Sequence, residues 1–314
     1  MPTTRLAPSP TGALHLGNAR TFLVNWALAR QQGWRVLLRI EDLDGPRIKQ
    51  GATQQAIEAL TWLGIDWDDG PIYQSEDLRP YEQALHRLIE GGHAYPCRCT
   101  RSQILAASLS APNKGDHELR YPGTCRPEPG AKVTAPTGND GLTAWRLVTP
   151  DGAVSFCDRF LGEHSFTPQR EVGDFLIATK QGWPGYQLAV VVDDARQRVD
   201  RVVRGDDLLG STARQMQLYE RLGLGDPPQY WHLPIVVGPD GRRLAKRHGD
   251  TRIDHYREEG TPPERVIGLL AHWCGMGPRR PMTAEQFATE FVLEKSGREK
   301  VTFSAEDDQW LLSH

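Results

Sequence analysis

Nowhere in its 314 residues does this chain hold an apolar run approaching the roughly 20 residues that a membrane helix needs, and a quarter of its residues are charged. A membrane-spanning helix is therefore excluded. The N-terminus has no basic stretch followed by an apolar core, so no secretory leader is read there and a cytoplasmic protein is expected. Cysteine is scarce: five residues, an odd number, with three between positions 97 and 125. That count suits reduced thiols or a bound metal rather than a disulfide framework. Net charge is small too, −3 from 37 basic and 40 acidic side chains. A general polyanion binder is excluded, and any nucleic-acid surface must be a local patch. There is no internal repeat and no low-complexity segment.

What is present is length enough for one large or two modest domains, organised around Arg5-Leu-Ala-Pro-Ser-Pro-Thr-Gly-Ala-Leu-His-Leu-Gly-Asn18. A short apolar strand runs into a Pro/Gly turn, and a helix opens at about Gly17. Pro8 and Pro10 pin the turn, while Gly12 and Gly17 let backbone approach a ligand closely. His15 and Asn18, three apart, share one face of the helix opening, beside unpaired N–H groups and the positive end of the helix dipole. These are the makings of a polyphosphate site. The alternative is an ordinary Pro/Gly loop with a surface histidine.

Apolar spacing predicts a helix over 21–30 ending before Gly33, then a strand over 35–41. Strand, helix and strand within about 37 residues make a parallel unit whose ligand crevice lies at the strands' carboxyl ends. Glu41, Asp42 and Asp44 emerge at that end. Helices are predicted over 53–63 and 80–91, with 64–71 a turn-rich connection between them. From about residue 93 to Pro184 the periodicity is broken, with short strands over 144–148 and 175–179, as expected of an insertion. The nucleotide-type pattern resumes at Gly185. A strand is expected over 199–204, a helix over 212–222, a strand over 231–237, and helical segments over 263–274 and 284–291. The expected divisions are 1–92, 93–184, 185–253 and 254–314.

Three groups of residues carry candidate chemistry. Arg242, Arg243, Lys246 and Arg247 form a basic loop flanked by glycines, suited to transfer at phosphorus, where catalysis is mainly positioning plus electrostatics. Alone, such a loop is more often a solvated turn. Arg5, Ser9, Glu41, Tyr186 and Arg204 all fall at strand ends or turn starts facing one crevice. Two arginines can fork onto carboxylates and a glutamate can pair with an ammonium, so glutamate or aspartate is the complement; the competing reading is a structural ion-pair network of Arg5 and Arg204 with Glu41, Asp42 or Asp206. Finally, Cys97-x-Cys99 with Cys125 downstream suits a structural Zn²⁺ site. His93, His117, Tyr121 and Cys157 are candidates for a fourth ligand, a histidine being preferred on chemistry alone. Three ordinary reduced cysteines are the alternative. Further basic clusters, at Arg98, Arg101, Arg120 and Arg126 and at Arg279 and Arg280, decide nothing by charge alone.

Pro8-Ser-Pro-Thr-Gly-Ala-Leu-His15-Leu-Gly-Asn18 resembles the HIGH signature of class I aminoacyl-tRNA synthetases in its glutamyl form, with Asn18 at the final position. Arg243-Leu-Ala-Lys246-Arg247 resembles the second signature, KMSKS, with Arg243 for the first lysine and Ala245 for the first serine, so charge survives and a hydroxyl is lost. Arg39-Ile-Glu41-Asp-Leu-Asp44, Tyr186-Gln-Leu-Ala-Val-Val-Val-Asp-Asp and Val-Val-Arg204-Gly-Asp-Asp resemble glutamyl-tRNA synthetase segments in order and spacing, over about residues 3–275. The resemblance implies an α/β, Rossmann-like parallel sheet split by a zinc-bearing insertion, with a short helical C-terminal segment. It implies that Arg5, Leu6, Ala7, Pro8, Ser9, Glu41, Tyr186 and Arg204 hold L-glutamate. His15, Gly17, Asn18 and Lys246 would bind ATP with Mg²⁺, and His15, Asn18 and Lys246 would be catalytic. It also points to Tyr121 as the fourth partner of Cys97, Cys99 and Cys125 on one structural Zn²⁺.

Full glutamyl enzymes continue into a helical anticodon-binding domain. This chain stops at His314 and so resembles the truncated branch of the family, whose members attach glutamate to the queuosine base of the tRNA(Asp) anticodon and activate it without tRNA. A monomer is expected. A short glutamyl enzyme charging tRNA(Glu), or a non-catalytic zinc-containing RNA-binding relative, would share most of these motifs.

Overall fold

The computed structural model describes residues 1–109, 120–131, 133, 141–242, 244 and 249–313, with Pro46 and residues 106–109 as backbone only. Lys246, Arg243, Ala245, Arg247 and His117 therefore lie outside the described residues.

The chain opens with β1 (Thr3–Leu6), α1 (Leu16–Gln32) and β2 (Arg35–Ile40). β1 and β2 pair in parallel, Arg5 opposite Leu37, as the spacing predicts. α1 ends where Gly33 takes φ 64° and returns its N–H to the Ala29 carbonyl, a left-handed stop that glycine makes without steric cost. Its burial reaches Arg20 and Asn25, because the helix runs through the middle of the molecule rather than over its surface. The Asn25 amide donates to the Arg5 carbonyl (2.9 Å) and accepts from the Thr4 hydroxyl (2.8 Å). Arg20 donates to the carbonyls of Pro234 (2.7 Å) and Trp273 (3.4 Å).

After α2 (Ala52–Trp62) comes β3 (Asp69–Tyr73), parallel to β2. The stretch expected as plain connection thus ends in an edge strand. Asp69, Gly70 and Pro71 are exposed, and an edge tolerates proline because no ladder hydrogen bond is lost there. Next are α3 (Arg79–Glu90), β4 (Ala94–Cys97), α4 (Arg101–Leu109), β5 (Ala144–Leu147), β6 (Val154–Asp158), β7 (Gly162–Phe166), α5 (Pro168–Glu171) and β8 (Leu176–Ala178). Pairing here is antiparallel: β4, β5 and β8 form one sheet in that order, and β6 and β7 a hairpin. The hairpin, unforeseen in the sequence, packs against the second half of the parallel fold.

That second half comprises α6 (Tyr186–Arg196), β9 (Arg201–Gly205), α7 (Leu209–Leu222) and β10 (Gln229–Leu233). β9 and β10 are parallel, with Arg204 opposite His232. β9 lies beside β1, joined where Asp200 N–H reaches the Thr3 carbonyl (3.1 Å) and Thr3 N–H the Asp200 carboxylate (2.7 Å). The single strand expected over 231–237 is split. Pro234 has no N–H to give a ladder, so β10 stops at Leu233 and β11 (Val236–Val237) starts afresh.

The C-terminal part is helical, as expected: α8 (Ile253–Glu258), α9 (Pro263–Trp273), α10 (Ala284–Glu290) and α11 (Ala305–Leu312). It also holds one short strand, β12 (Val301–Thr302), parallel to β11. The largest apolar core joins α1 to the sheet on one side and to α9 and α10 on the other, through Leu23, Trp26, Leu38, Leu270 and Phe287. A second core lies between α3, α6, α7 and the antiparallel sheet. No helix among the described residues is long and apolar enough to cross a membrane.

Candidate active site

A crevice of about 640 Å³ opens where β1, β2 and β9 end and α1 begins, the place where parallel sheets bind ligands, and within the ~300–1,000 Å³ usual for small-molecule sites. Arg5, Ala7, Pro8, Ser9, His15, Gly17, Asn18, Glu41, Tyr186 and Arg204 all line it. Leu6 does not. Side chains alternate along a strand, so next to Arg5 the Leu6 side chain is turned into the core. Residue 6 can meet a ligand only through its backbone.

Where α1 opens onto the crevice, His15 is the N-cap of the helix and its backbone is extended. A Cβ on Gly17 would lie 3.3 Å from two atoms of the His15 ring, so glycine is what lets the imidazole lie across the first helical turn. The Leu16 N–H is taken by the Thr251 carbonyl (3.0 Å), and Ile253 N–H by the Leu14 carbonyl (2.9 Å). The basic stretch leaves from β11, whose Val236 lines the crevice, and returns at Thr251 beside His15. Both its ends border the opening of α1.

The part of the crevice at the ends of β1, β2 and β9 is built around charge. Arg39, fully buried, reaches Asp194 (2.8 Å) and Glu41 (3.3 Å), and its Nε lies 3.9 Å from Asp193. Asp193 also accepts from Gln74 (2.7 Å), Tyr81 (2.9 Å) and Arg196 (2.7 Å). Arg5, 5% exposed, stands 3.6 Å from Asp194 and donates to the Val203 carbonyl (3.4 Å). Glu41 lies in this array with its pKa raised by burial, against the pull of Arg39 and Arg5. Arg39, Asp193 and Asp194 were quoted in sequence motifs but given no role there. They form the buried frame that holds Glu41 and Arg5 in place. Tyr186 stands at the crevice mouth, 41% exposed, its phenol pushed up to about 12 by desolvation and by the Glu41 carboxylate.

Arg204 is different. It is 4% exposed, and its donors go to His232 Nε2 (2.9 Å), Gln215 Oε1 (2.9 Å), Thr212 Oγ1 (2.8 Å) and the Leu208 carbonyl (3.4 Å). Its guanidinium sits over the Tyr230 ring, 5.1 Å from the centroid. Among the described residues no carboxylate comes within ion-pairing distance of it, and Asp206, the partner considered from sequence, instead accepts from Ile235 N–H (3.0 Å). A buried cation is costly without an opposite charge. Such a group can take up an anion, and of the network considered above for Arg5 and Arg204, with Glu41, Asp42 or Asp206 as partners, no ion pair is formed among the described residues: the carboxylate beside Arg5 is Asp194.

The thiols of Cys97, Cys99 and Cys125 lie within 4.8 Å of one another. The Tyr121 oxygen is 3.4 Å from the Cys97 sulfur and 3.8 Å from that of Cys99, and it accepts from Cys125 N–H (2.8 Å). Burial opposes ionisation of Cys125, but hydrogen bonds from Tyr121 and the Arg98 backbone bring its thiol down to about 7. Three soft sulfur donors and a phenol oxygen around one point fit the four-coordinate preference of Zn²⁺. His93 and Cys157, considered as the fourth partner, lie outside the cluster. Cys157 is on β6, beside Glu163.

The catalytic-domain model of the class I tRNA synthetases (E and Q) matches residues 2–309. The chain is 49% identical over 288 residues to a glutamyl-Q tRNA(Asp) synthetase of Rhodopirellula baltica, covering 87% of this chain and 85% of that one. It is 43% identical over 311 residues to a protein of the same name in Symbiobacterium thermophilum, covering 96% of each. Among solved structures, a glutamate tRNA ligase from Elizabethkingia meningosepticum in complex with its amino acid superposes with a TM-score of 0.79 at 27% identity, covering 99% of this chain and 68% of that one.

Proposed function

This chain belongs to the class I tRNA synthetases of the E and Q type, and on that premise we propose that it activates L-glutamate with ATP and transfers the glutamyl group to the queuosine base of the tRNA(Asp) anticodon. The observation that carries the amino-acid choice is Arg204: a buried guanidinium with only neutral partners, facing a crevice that also holds Arg5 and the Glu41 carboxylate. A ligand with a carboxylate for Arg204, and an ammonium for Glu41, completes the charge balance. The tRNA choice is supported by the names of two relatives that this chain matches along most of their length.

Two steps follow. In the first, an α-carboxylate oxygen of glutamate bonds to the α-phosphorus of ATP, which enters with Mg²⁺, and the bond to the β-phosphate oxygen breaks, releasing pyrophosphate. His15, Asn18 and the N-terminus of α1 receive the charge that develops on the phosphate oxygens, and Lys246 follows that charge from the basic loop. No side-chain nucleophile is needed. In the second, a queuosine hydroxyl attacks the carbonyl carbon of the mixed anhydride; AMP departs with the former bridging oxygen, and the hydroxyl proton is lost. Zn²⁺ held by Cys97, Cys99, Tyr121 and Cys125 would supply structure only, fastening the end of β4 to the segment at 121–125.

The test has two arms. Glutamate-dependent exchange of labelled pyrophosphate into ATP should proceed without any tRNA. Labelled glutamate should then pass to tRNA(Asp) containing queuosine, and not to queuosine-free tRNA(Asp) or to tRNA(Glu). Charging of tRNA(Glu) would replace this reading by that of a short glutamyl-tRNA synthetase, and absence of exchange both with and without tRNA would leave only an RNA-binding role.

A further inference from the structure

Behind Arg204 lies a relay that no motif of the sequence announces. Arg204 Nε is 2.9 Å from His232 Nε2, and His232 Nδ1 is 2.7 Å from Asp158 Oδ2; all three residues are buried. A guanidinium only donates, so Nε2 must be the bare nitrogen and Nδ1 must carry the proton, given to Asp158. Asp158 is itself fixed: its Oδ1 accepts from the N–H groups of Phe160 (3.0 Å) and Leu161 (2.8 Å) at the turn between β6 and β7, and the His232 N–H is shared between Oδ2 (3.1 Å) and Oδ1 (3.3 Å). The same logic orients the other side: Arg204 takes the Gln215 amide oxygen, so the Gln215 nitrogen turns to Gln187 Oε1 (3.0 Å), and the Gln187 nitrogen to the Ser211 hydroxyl (3.0 Å).

We propose that Asp158 and His232 are positioning residues for amino-acid selection: Asp158 locks His232 as a neutral acceptor, and that acceptor aims Arg204 at the substrate's side-chain carboxylate without consuming its charge. The inference rests on the glutamate-activating reading above. A carboxylate directly on Arg204 would hold the guanidinium equally well but would spend the positive charge that distinguishes glutamate from glutamine. Placing the imidazole between them keeps Asp158 one residue away. The β6–β7 hairpin thus reaches into amino-acid recognition, although it lines no part of the crevice.

Asp158→Asn is the sharpest test. Its Oδ1 keeps the bonds from Phe160 and Leu161 and takes the His232 N–H as well, three donors that fix the amide so that its NH₂ faces His232 Nδ1. The ring must then move its proton to Nε2, donor against donor with Arg204. In pyrophosphate exchange D158N is expected to raise the KM for glutamate by ~10- to 100-fold, the range of a lost charge-assisted hydrogen bond, with the KM for ATP within about twofold. H232N should behave alike, whereas H232Q, whose amide oxygen can stand in for Nε2, should recover most of the loss. ¹⁵N NMR of histidine-labelled protein, with the His232 signals identified by their absence in H232Q, should show a protonated Nδ1 and bare Nε2 in the wild type and the reverse in D158N. An unchanged glutamate KM in D158N, or equal rises for glutamate and ATP with both histidine variants alike, overturns the inference. Failure of wild-type exchange would instead strike the glutamate reading, while the NMR arm would still report the tautomer.

Discussion

The imidazole of His15 lies across the α-carbon of Gly17, close enough that a methyl group there would meet its Cε1 and Nδ1 at 3.3 Å and the Val236 side chain at 3.4 Å. Glycine inside the first turn of a helix ordinarily costs about 0.5–1 kcal/mol relative to alanine. Here it makes room for the ring to which the proposed mechanism gives the stabilisation of phosphate charge. Gly17→Ala should therefore leave stability within about 1 kcal/mol, helix propensity offsetting the crowding, while the exchange rate falls by ~10-fold or more as the ring is displaced. Urea denaturation and pyrophosphate exchange on the same preparation check both halves.

Lys246→Ala should lower the exchange rate by ~10- to 100-fold, the range of a charge-assisted hydrogen bond to phosphate. The KM for glutamate should be little changed, because the proposed glutamate contacts, Arg204, Arg5 and Glu41, do not belong to the basic loop. Full activity in this variant, measured with saturating ATP, would remove the lysine from the mechanism.

Much of the site can be read from the sequence because chain geometry alone brings it together. Arg5, His15 and Asn18 stand on one strand–turn–helix whose prolines and glycines declare the turn, and Glu41 and Arg204 each end an apolar run that must be a strand. The partners of those residues are another matter. Asp158 and His232 are 74 residues apart and meet only because an inserted hairpin folds back on β10; neither carries a local signal, and Asp193 and Asp194 read as the polar end of a helix until Arg39 is seen against them. Asp69-Gly-Pro has the composition of a turn, and only its place at a sheet edge makes it a strand. Tyr121 shows the reverse limit: a phenol is not a ligand that spacing would suggest, yet its oxygen lies among the three thiols.

Burial pulls the pKa of His232 down to about 4, against the hydrogen bond from its ring to Asp158. The unfolded chain therefore takes up a proton near pH 6.5 that the folded chain refuses until about pH 4. Stability contributed by this group is intact above pH 6.5 and is lost on acidification through that window, by up to about 1.4 kcal/mol per pH unit. H232Q, which cannot titrate, should show a correspondingly flatter dependence of the urea midpoint between pH 6.5 and 4.5. Parallel curves for the two proteins would refute the assignment.

The thiol cluster predicts metal content. Elemental analysis of the purified protein should give one zinc per chain, and Cys125→Ser should lower that value severalfold. Pyrophosphate exchange should survive the substitution, since the crevice contains none of the four donors, while transfer to tRNA should fall. Loss of exchange in step with zinc would mean that the cluster supports the crevice directly.

The most direct measurement is a crystal structure of the protein with a non-hydrolysable glutamyl-adenylate analogue. The ligand's side-chain carboxylate should lie on Arg204 at ~2.7–3.0 Å, its amine beside Glu41 and its phosphate at the opening of α1 by Asn18. A side-chain carboxylate seated elsewhere, with Arg204 still bonded only to His232, Gln215, Thr212 and Leu208, would contradict the account.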